Sequence, residues 1–329
     1  MSCDVLVIVE HNEGRLKNVS NEILSYFGRI SKDNGVKVIA FVFGNHITEK
    51  LYCDIGKLGI SQIVTHVDRD LDEQPGLIAG MTVDLAKKVK PKLIVMANTV
   101  RSRDSAPLIA QELNIEMFSD IIDINHKKTV INLTRLVYGG KAMEKIKLSN
   151  QQALITIRPN ALGNHENEAF IPKVTRFKTN EILKTQTYET KAKITKEKAQ
   201  KPINEAEVII AIGRGIRRLE DLNMVDDLAR VVDGVIGSTR PVVDMGFVRR
   251  SHQIGQSGRS VSPKLAILLG ISGQIQFVAG ISKAKTIIAV NKDAKATIFK
   301  SADYGVVGDI YVITPILTRE LKKLKLQNR

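Results

Sequence analysis

Residues 208–232 read VIIAIGRGIRRLEDLNMVDDLARVV. The five apolar, mostly β-branched residues Val208–Ile212 predict a strand buried on both faces. Gly213-Arg214-Gly215 predicts a tight turn. Leu219–Val232 carries apolar residues at helical spacing, with Arg217 and Arg218 before it. Strand, glycine turn and helix are the opening of a βαβ unit, and they place the chain among α/β proteins. Gly213-Arg-Gly215 also matches the first half of a dinucleotide fingerprint, although Arg218 stands where the third glycine would be. The Gly-Lys-Ser/Thr ending of a Walker sequence is missing.

The same alternation runs outward from this stretch. Val5–Val9, Val36–Phe43, Ile63–Val67 and Leu93–Ala97 predict strands, and Arg15–Ser31, Gly76–Val89 and Arg101–Leu113 predict helices. Gly35 suits the left-handed end of the first helix. From about residue 128 the pattern changes: Thr129–Val137, Gly139-Gly140 and Lys141–Leu148 predict a β-hairpin, and Ala153–Arg158 another strand. Leu183–Lys201 is lysine-rich and poor in apolar residues, which suits an exposed linker across a domain boundary. Beyond it, Leu265–Leu269, Thr286–Val290 and Ile310–Ile313 predict strands. Gln274–Ala279 predicts the start of a helix and Leu317–Leu326 a closing amphipathic helix. The expected fold is α/β: a Rossmann-like or flavodoxin-like domain over residues 1–195, then a second α/β domain with a parallel sheet over residues 196–329.

The chain has 329 residues, 49 Lys and Arg against 35 Asp and Glu, and a formal net charge of +14. That charge raises nucleic acid as a partner. Yet the basic residues are spread along the chain, aromatics are 5% and Trp is absent, so the stacking platform of a nucleic-acid binder is not expected. No apolar run reaches the length of a membrane span, and the N-terminus has no basic, apolar leader. Two cysteines, Cys3 and Cys53, make neither a disulfide scaffold nor a cysteine zinc site. A reducing cytoplasm is the expected compartment. The six histidines are scattered without HExxH spacing, and no GxSxG elbow is present, so no acid/base or nucleophilic constellation is expected.

Glycine is more informative. Gly237 to Gly280 holds Gly237-Ser-Thr239-Arg240, Gln253-Ile-Gly255-Gln256-Ser257-Gly258-Arg259 and Gly270-Ile-Ser272-Gly273-Gln274-Ile-Gln276. Glycines among hydroxyl and amide side chains let backbone N–H groups approach an anion, and Arg214 and Arg240 supply compensating charge. Ser272-Gly273 before a helix would present amides to a pyrophosphate. A nucleotide cofactor is expected here. One version of that reading is an NAD-dependent dehydrogenase with a partial Rossmann loop at Gly213–Gly215 and Asp233 as the ribose-binding acid.

These residues also carry a resemblance. Ile254–Gly258, Gly270–Phe277, Ala289–Asp293 and Ala302–Ile310 are similar to the Val-Gly-Gln-Thr-Gly, Gly-Ile-Ser-Gly-x-Ile-Gln-His, Ala-Ile-Asn-Lys-Asp and Ala-Asp-Tyr-Gly-x-Val-Gly-Asp-Leu motifs of the alpha subunits of electron transfer flavoproteins. Arg101-Ser-Arg-Asp104 with Ala106-Pro107, Tyr138-Gly-Gly140 and Thr156-Ile-Arg-Pro159 resemble landmarks of the same family, so the likeness covers nearly the whole chain.

The resemblance implies an FAD-containing electron carrier rather than a substrate-transforming enzyme. It implies a beta subunit as heterodimeric partner, packed on the N-terminal domain, and an FAD domain free to swing about residues 195–205. Electrons would come from flavoprotein dehydrogenases, such as acyl-CoA dehydrogenases of fatty acid β-oxidation, and go to a quinone reductase or another acceptor. Some members of the family instead bifurcate electrons, using NADH and ferredoxin. Carried over by position, Arg240 faces the flavin ring, Ser257 replaces a threonine near flavin N5, and Gln253 and Gln256 belong to the flavin-ring loop. Arg214, Thr239 and Ser272 meet the pyrophosphate, with Gly255, Gly270, Gly273, Gln274 and Gln276 in the surrounding loops. Asn291 and Asp309 serve the adenosine end. Phe277 stands where the family usually has histidine near flavin N1. It can neither donate a hydrogen bond nor carry charge, so a partner worth about 1.5–3 kcal/mol when fully formed is missing, and a lower first reduction potential is expected.

Overall fold

The computed structural model describes residues 3–67, 74–127, 130–138, 142–149, 152–178, 202–203 and 206–327. The expected linker Leu183–Lys201 lies outside the described residues. The chain divides into two compact units, Met1–Thr195 and Lys196–Arg329.

The first unit begins with β1 (Val5–Ile8), a short ribbon of β2 (His11–Asn12) and β3 (Arg15–Leu16), and α1 (Asn18–Asn34). It continues through β4 (Val38–Gly44), α2 (Glu49–Lys57), β5 (Gln62–Val67), α3 (Pro75–Val89), β6 (Leu93–Ala97) and α4 (Val100–Leu113). Then come β7 (Glu116–Lys127), β8 (Val130–Val137), β9 (Ala142–Ser149), β10 (Ala153–Ile157) and β11 (Lys173–Arg176). The strands form one sheet in the order β11-β5-β4-β1-β6-β10-β7-β8-β9. Pairing is parallel from β11 to β7 and antiparallel for β7-β8-β9, which contains the expected hairpin. β1, β4, β6 and β10 are buried along their whole length because alternate residues feed opposite cores. Val5, Val7 and Val95 pack with Ile23 and Phe27 of α1, whereas Leu6, Ile8 and Ile94 pack with Ile78 of α3 and Ile109 of α4.

Two departures from expectation have local causes. α1 starts at Asn18 rather than Arg15, because Arg15 and Leu16 pair with Asn12 and His11. It ends as expected, with Gly35 at φ 66°. α2 buries only Leu51, Ile55 and Gly56, too short a stripe to stand out in the sequence; the Thr48 side chain caps it by accepting from the Leu51 amide.

The second unit contains β12 (Val208–Ile212), α5 (Leu222–Val232), β13 (Val235–Ser238), α6 (Arg240–Asp244) and β14 (Leu265–Leu269). α7 (Ile275–Ile281), β15 (Thr286–Asn291), β16 (Tyr304–Val307) and α8 (Ile310–Gln327) complete it. Its five strands are all parallel, in the order β13-β12-β14-β15-β16. Ile310–Ile313, expected as a strand, is the first turn of α8. The amides of Val312 and Ile313 donate to the Asp309 carbonyl, and the Tyr311 amide donates to Asp309 Oδ1. Ile310, Ile313, Leu317 and Leu321 then lie on one helical face against the core.

Candidate functional site

In the second unit the chain leaves β12 for β13 on one side, then crosses to β14 on the other. Turns that diverge from adjacent parallel strands leave a crevice at their carboxyl ends. A cavity of about 490 Å³ opens there. Four strand ends feed it: Gly213 and Arg214 follow β12, Thr239 and Arg240 follow β13, Gly270 and Ser272 follow β14, and Asn291 ends β15. The loop Gln253–Ser257 closes one side, and Gln274, Gln276 and Phe277 come from the start of α7. The strand-end turns lie backbone on backbone: a Cβ at Gly213 would stand 2.4 Å from the Gly270 carbonyl oxygen, and Gly270 itself has φ +64°.

Every sequence-expected site residue except Gly273 and Asp309 lines this cavity. Gly273, at φ +94°, presses on the backbone of Ile298, where a Cβ would come within 2.2 Å of the Ile298 nitrogen. The Asp309 side chain caps α8, accepting from the Tyr311 amide at 2.9 Å. Sequence reasoning missed Ile254 and Ile271, whose only signal was their place inside the motifs, and Pro241, which follows Arg240 directly. Asp233 is the left-handed cap of α5, at φ 50°, and sits at the amino end of β13. That is the end of the sheet opposite the cavity, so it cannot be the ribose acid of an NAD site there.

The polar groups of the site hold one another. Gln253 Nε2 donates to Ser257 Oγ at 2.9 Å, which leaves the serine hydroxyl hydrogen for another acceptor. The Gln256 amide donates to the Gln276 carbonyl at 2.8 Å and the Ile254 amide to the Ser238 carbonyl at 2.9 Å, pinning the loop to α7 and β13. Asn291 Nδ2 donates to the Ile271 carbonyl at 2.8 Å. Phe277 belongs both to the cavity wall and to the core, only 5% exposed and packed with Ile254, Leu268 and Ile271. The lining carries two arginines and no carboxylate. Two cations, several amides and hydroxyls, and an apolar floor suit an anionic ligand with a polar heteroaromatic ring. Among the described residues no group of three or more His, Cys, Asp or Glu is placed to hold a metal ion, and no helix is long and apolar enough to cross a membrane.

Fold and crevice together define a dinucleotide-binding α/β protein. Residues 5–208 match the electron transfer flavoprotein domain, and residues 202–282 match the electron transfer flavoprotein FAD-binding domain. The electron transfer flavoprotein subunit alpha of Thermoanaerobacterium thermosaccharolyticum is 36% identical over 98% of both chains. That of Bacillus subtilis is 30% identical over 100% of both. The lactate dehydrogenase (NAD(+),ferredoxin) subunit LctC of Acetobacterium woodii is 32% identical over 95% of this chain and 75% of its own. The chain belongs to the electron transfer flavoprotein family, among its alpha subunits. Its cofactor is FAD and its function is that of an electron carrier.

Proposed function

We propose that the crevice of the second unit seats FAD and that the chain, paired with a beta subunit through its first unit, carries electrons between flavoprotein dehydrogenases and a quinone reductase or similar acceptor, without transforming a substrate itself. The observation that supports this most is the meeting of Arg214, Arg240, Ser257 and five amide side chains in one carboxylate-free crevice at the carboxyl ends of parallel strands. FAD supplies the redox chemistry when bound. The protein's part is to hold and polarise it. Arg214, Thr239 and Ser272 serve the pyrophosphate. Arg240 serves the flavin ring, where a cation favours the negative charge that reduction brings. The Ser257 hydroxyl, its oxygen already engaged by Gln253, donates toward N5. Asn291 serves the adenosine end. Asp309 serves the same end, its Oδ1 also capping α8. The free thiols of Cys3 and Cys53 agree with a reducing cytoplasm.

A second reading is electron bifurcation with NADH and ferredoxin, favoured by the 32% identity to a subunit whose name couples NAD and ferredoxin. One experiment tests both. The chain is purified with its beta partner and its flavin is reduced either by a substrate-loaded acyl-CoA dehydrogenase or by NADH. Rapid bleaching of the flavin band with the dehydrogenase alone is expected of the simple carrier. Bleaching by NADH with two flavins per complex supports the bifurcating type, and a complex without flavin overturns both.

A further inference from the structure

The turn that carries Arg214 is anchored on two sides. Upstream, the Gly213 amide donates to the Leu269 carbonyl at 2.9 Å and the Gly215 amide to the Gly270 carbonyl at 3.2 Å, so β14 holds its first half. Downstream, the partners are Tyr311 of α8 and Asp221, which stands just before α5. The Tyr311 hydroxyl donates to Asp221 Oδ2 at 2.6 Å and accepts from the Arg217 amide at 3.0 Å. The Arg218 amide donates to the same Asp221 oxygen at 3.0 Å. The Arg217 guanidinium lies 5.8 Å from the centre of the Tyr311 ring. One phenol and one carboxylate thus hold two consecutive backbone amides. Arg214 itself is exposed, lines the cavity and makes no ion pair among the described residues.

We infer that Tyr311 and Asp221 are positioning residues for the cofactor: they latch the end of the Gly213–Arg218 turn to α8 and so hold Arg214 at the pyrophosphate. The inference rests on the reading of the crevice as an FAD site. A charge-assisted contact from arginine to phosphate depends on orientation, and a turn ordered before binding spares the cost of ordering it on binding. The Tyr311 hydrogen bond also holds the Asp221 carboxyl below its ordinary pKa. Without the phenol hydroxyl, the Arg217 amide and Asp221 both lose their hydrogen bond to α8, and the downstream end keeps only the local Arg218–Asp221 bond. Tyr311→Phe keeps the ring against Arg217 and removes that hydroxyl alone.

The test is a double-mutant cycle on the FAD dissociation constant of the complete alpha–beta complex, stripped of flavin and titrated with FAD. Four forms are compared: wild type, Tyr311→Phe, Arg214→Ala and the double variant. A latch acting through Arg214 predicts that Tyr311→Phe weakens FAD about 5- to 10-fold in the wild-type background, the loss of roughly one hydrogen bond, and about 2-fold or less when Arg214 is already alanine. An equal factor in both backgrounds, or no loss from Tyr311→Phe while Arg214→Ala weakens binding, overturns the latch and leaves the FAD site standing. Wild-type affinity in Arg214→Ala overturns the pyrophosphate reading and the latch with it. Asp221→Ala removes the other half of the pair and is expected to reproduce the Tyr311→Phe loss without adding to it. It carries the same cycle should Tyr311→Phe fold poorly, and an additive loss between the two overturns the proposal.

Discussion

Arg240 stands 3.7 Å from Asp244, with 70% of its side chain exposed. An exposed pair of that kind, four residues apart on a helix, holds the guanidinium by only about 0.3–0.5 kcal/mol, so little opposes its turning to the flavin. Arg240→Ala is therefore expected to lower the reduction potential of bound FAD, through loss of a cation contact of about 0.5–2 kcal/mol. Arg240→Lys should recover part of it. Redox titration of the three complexes measures this, and equal potentials would contradict it. Phe277 poses the converse case. Replacing it with histidine should raise the potential by restoring a donor beside the ring. Because Phe277 is 5% exposed and packed in the core, the same change should also lower the melting temperature, an imperfectly paired buried imidazole costing about 1–3 kcal/mol. A lowered melting temperature with an unmoved potential would place Phe277 in the core alone. At this scale the motif residues converge on one crevice because they follow strand ends, open α7, or sit on the loop pinned to α7 and β13. Gly273 and Asp309 of the same motifs also have structural parts, a close backbone approach and a helix cap, which a linear pattern does not show.

Among the elements, α1 ties down the segment after β10. Glu22, 4% exposed, accepts the amides of Asn160 at 2.8 Å, Leu162 at 2.6 Å and Gly163 at 2.7 Å. Glu22→Ala would leave three amides without their acceptor, and a loss of about 3 kcal/mol is expected in denaturant unfolding, with the flavin spectrum unchanged. The carboxyl of Glu10, just beyond β1, titrates against two opposing effects. Burial pushes it up, but the charge of Lys17 and hydrogen bonds from Lys17, Thr99 and Ser102 outweigh burial and hold it below the ordinary 4.5. A carboxyl lowered in the folded state contributes stability above its unfolded pKa and loses it as pH falls through the folded value. The stability of the wild type should thus fall away below about pH 4.5, and Glu10→Gln should flatten that acid limb. An unchanged limb would remove Glu10 from the account. The start of α8 shows where element reading fails. Ile310-Tyr-Val-Ile313 has the composition of a strand, and the helix prevails because Asp309 caps it and residues 310, 313, 317 and 321 face the core together.

Over the whole molecule, the alternation of apolar strands with helical stripes was enough to foresee parallel sheets, and the Gly-Gly pair enough to foresee the β8–β9 hairpin. Strand order was not legible, because pairing is settled by packing between elements far apart in sequence. Yet order is what makes the site: β13 and β14 flank β12, and the crevice lies where the chain changes sides. The central claim, that this crevice seats FAD, is tested most directly by irradiating the alpha–beta complex loaded with an azido-substituted FAD and mapping the labelled peptides. Labelling confined to the lining segments 213–214, 239–241, 253–257, 270–277 and 291 is the predicted result. A complex that takes up no flavin, or label found only in the first unit, would contradict it.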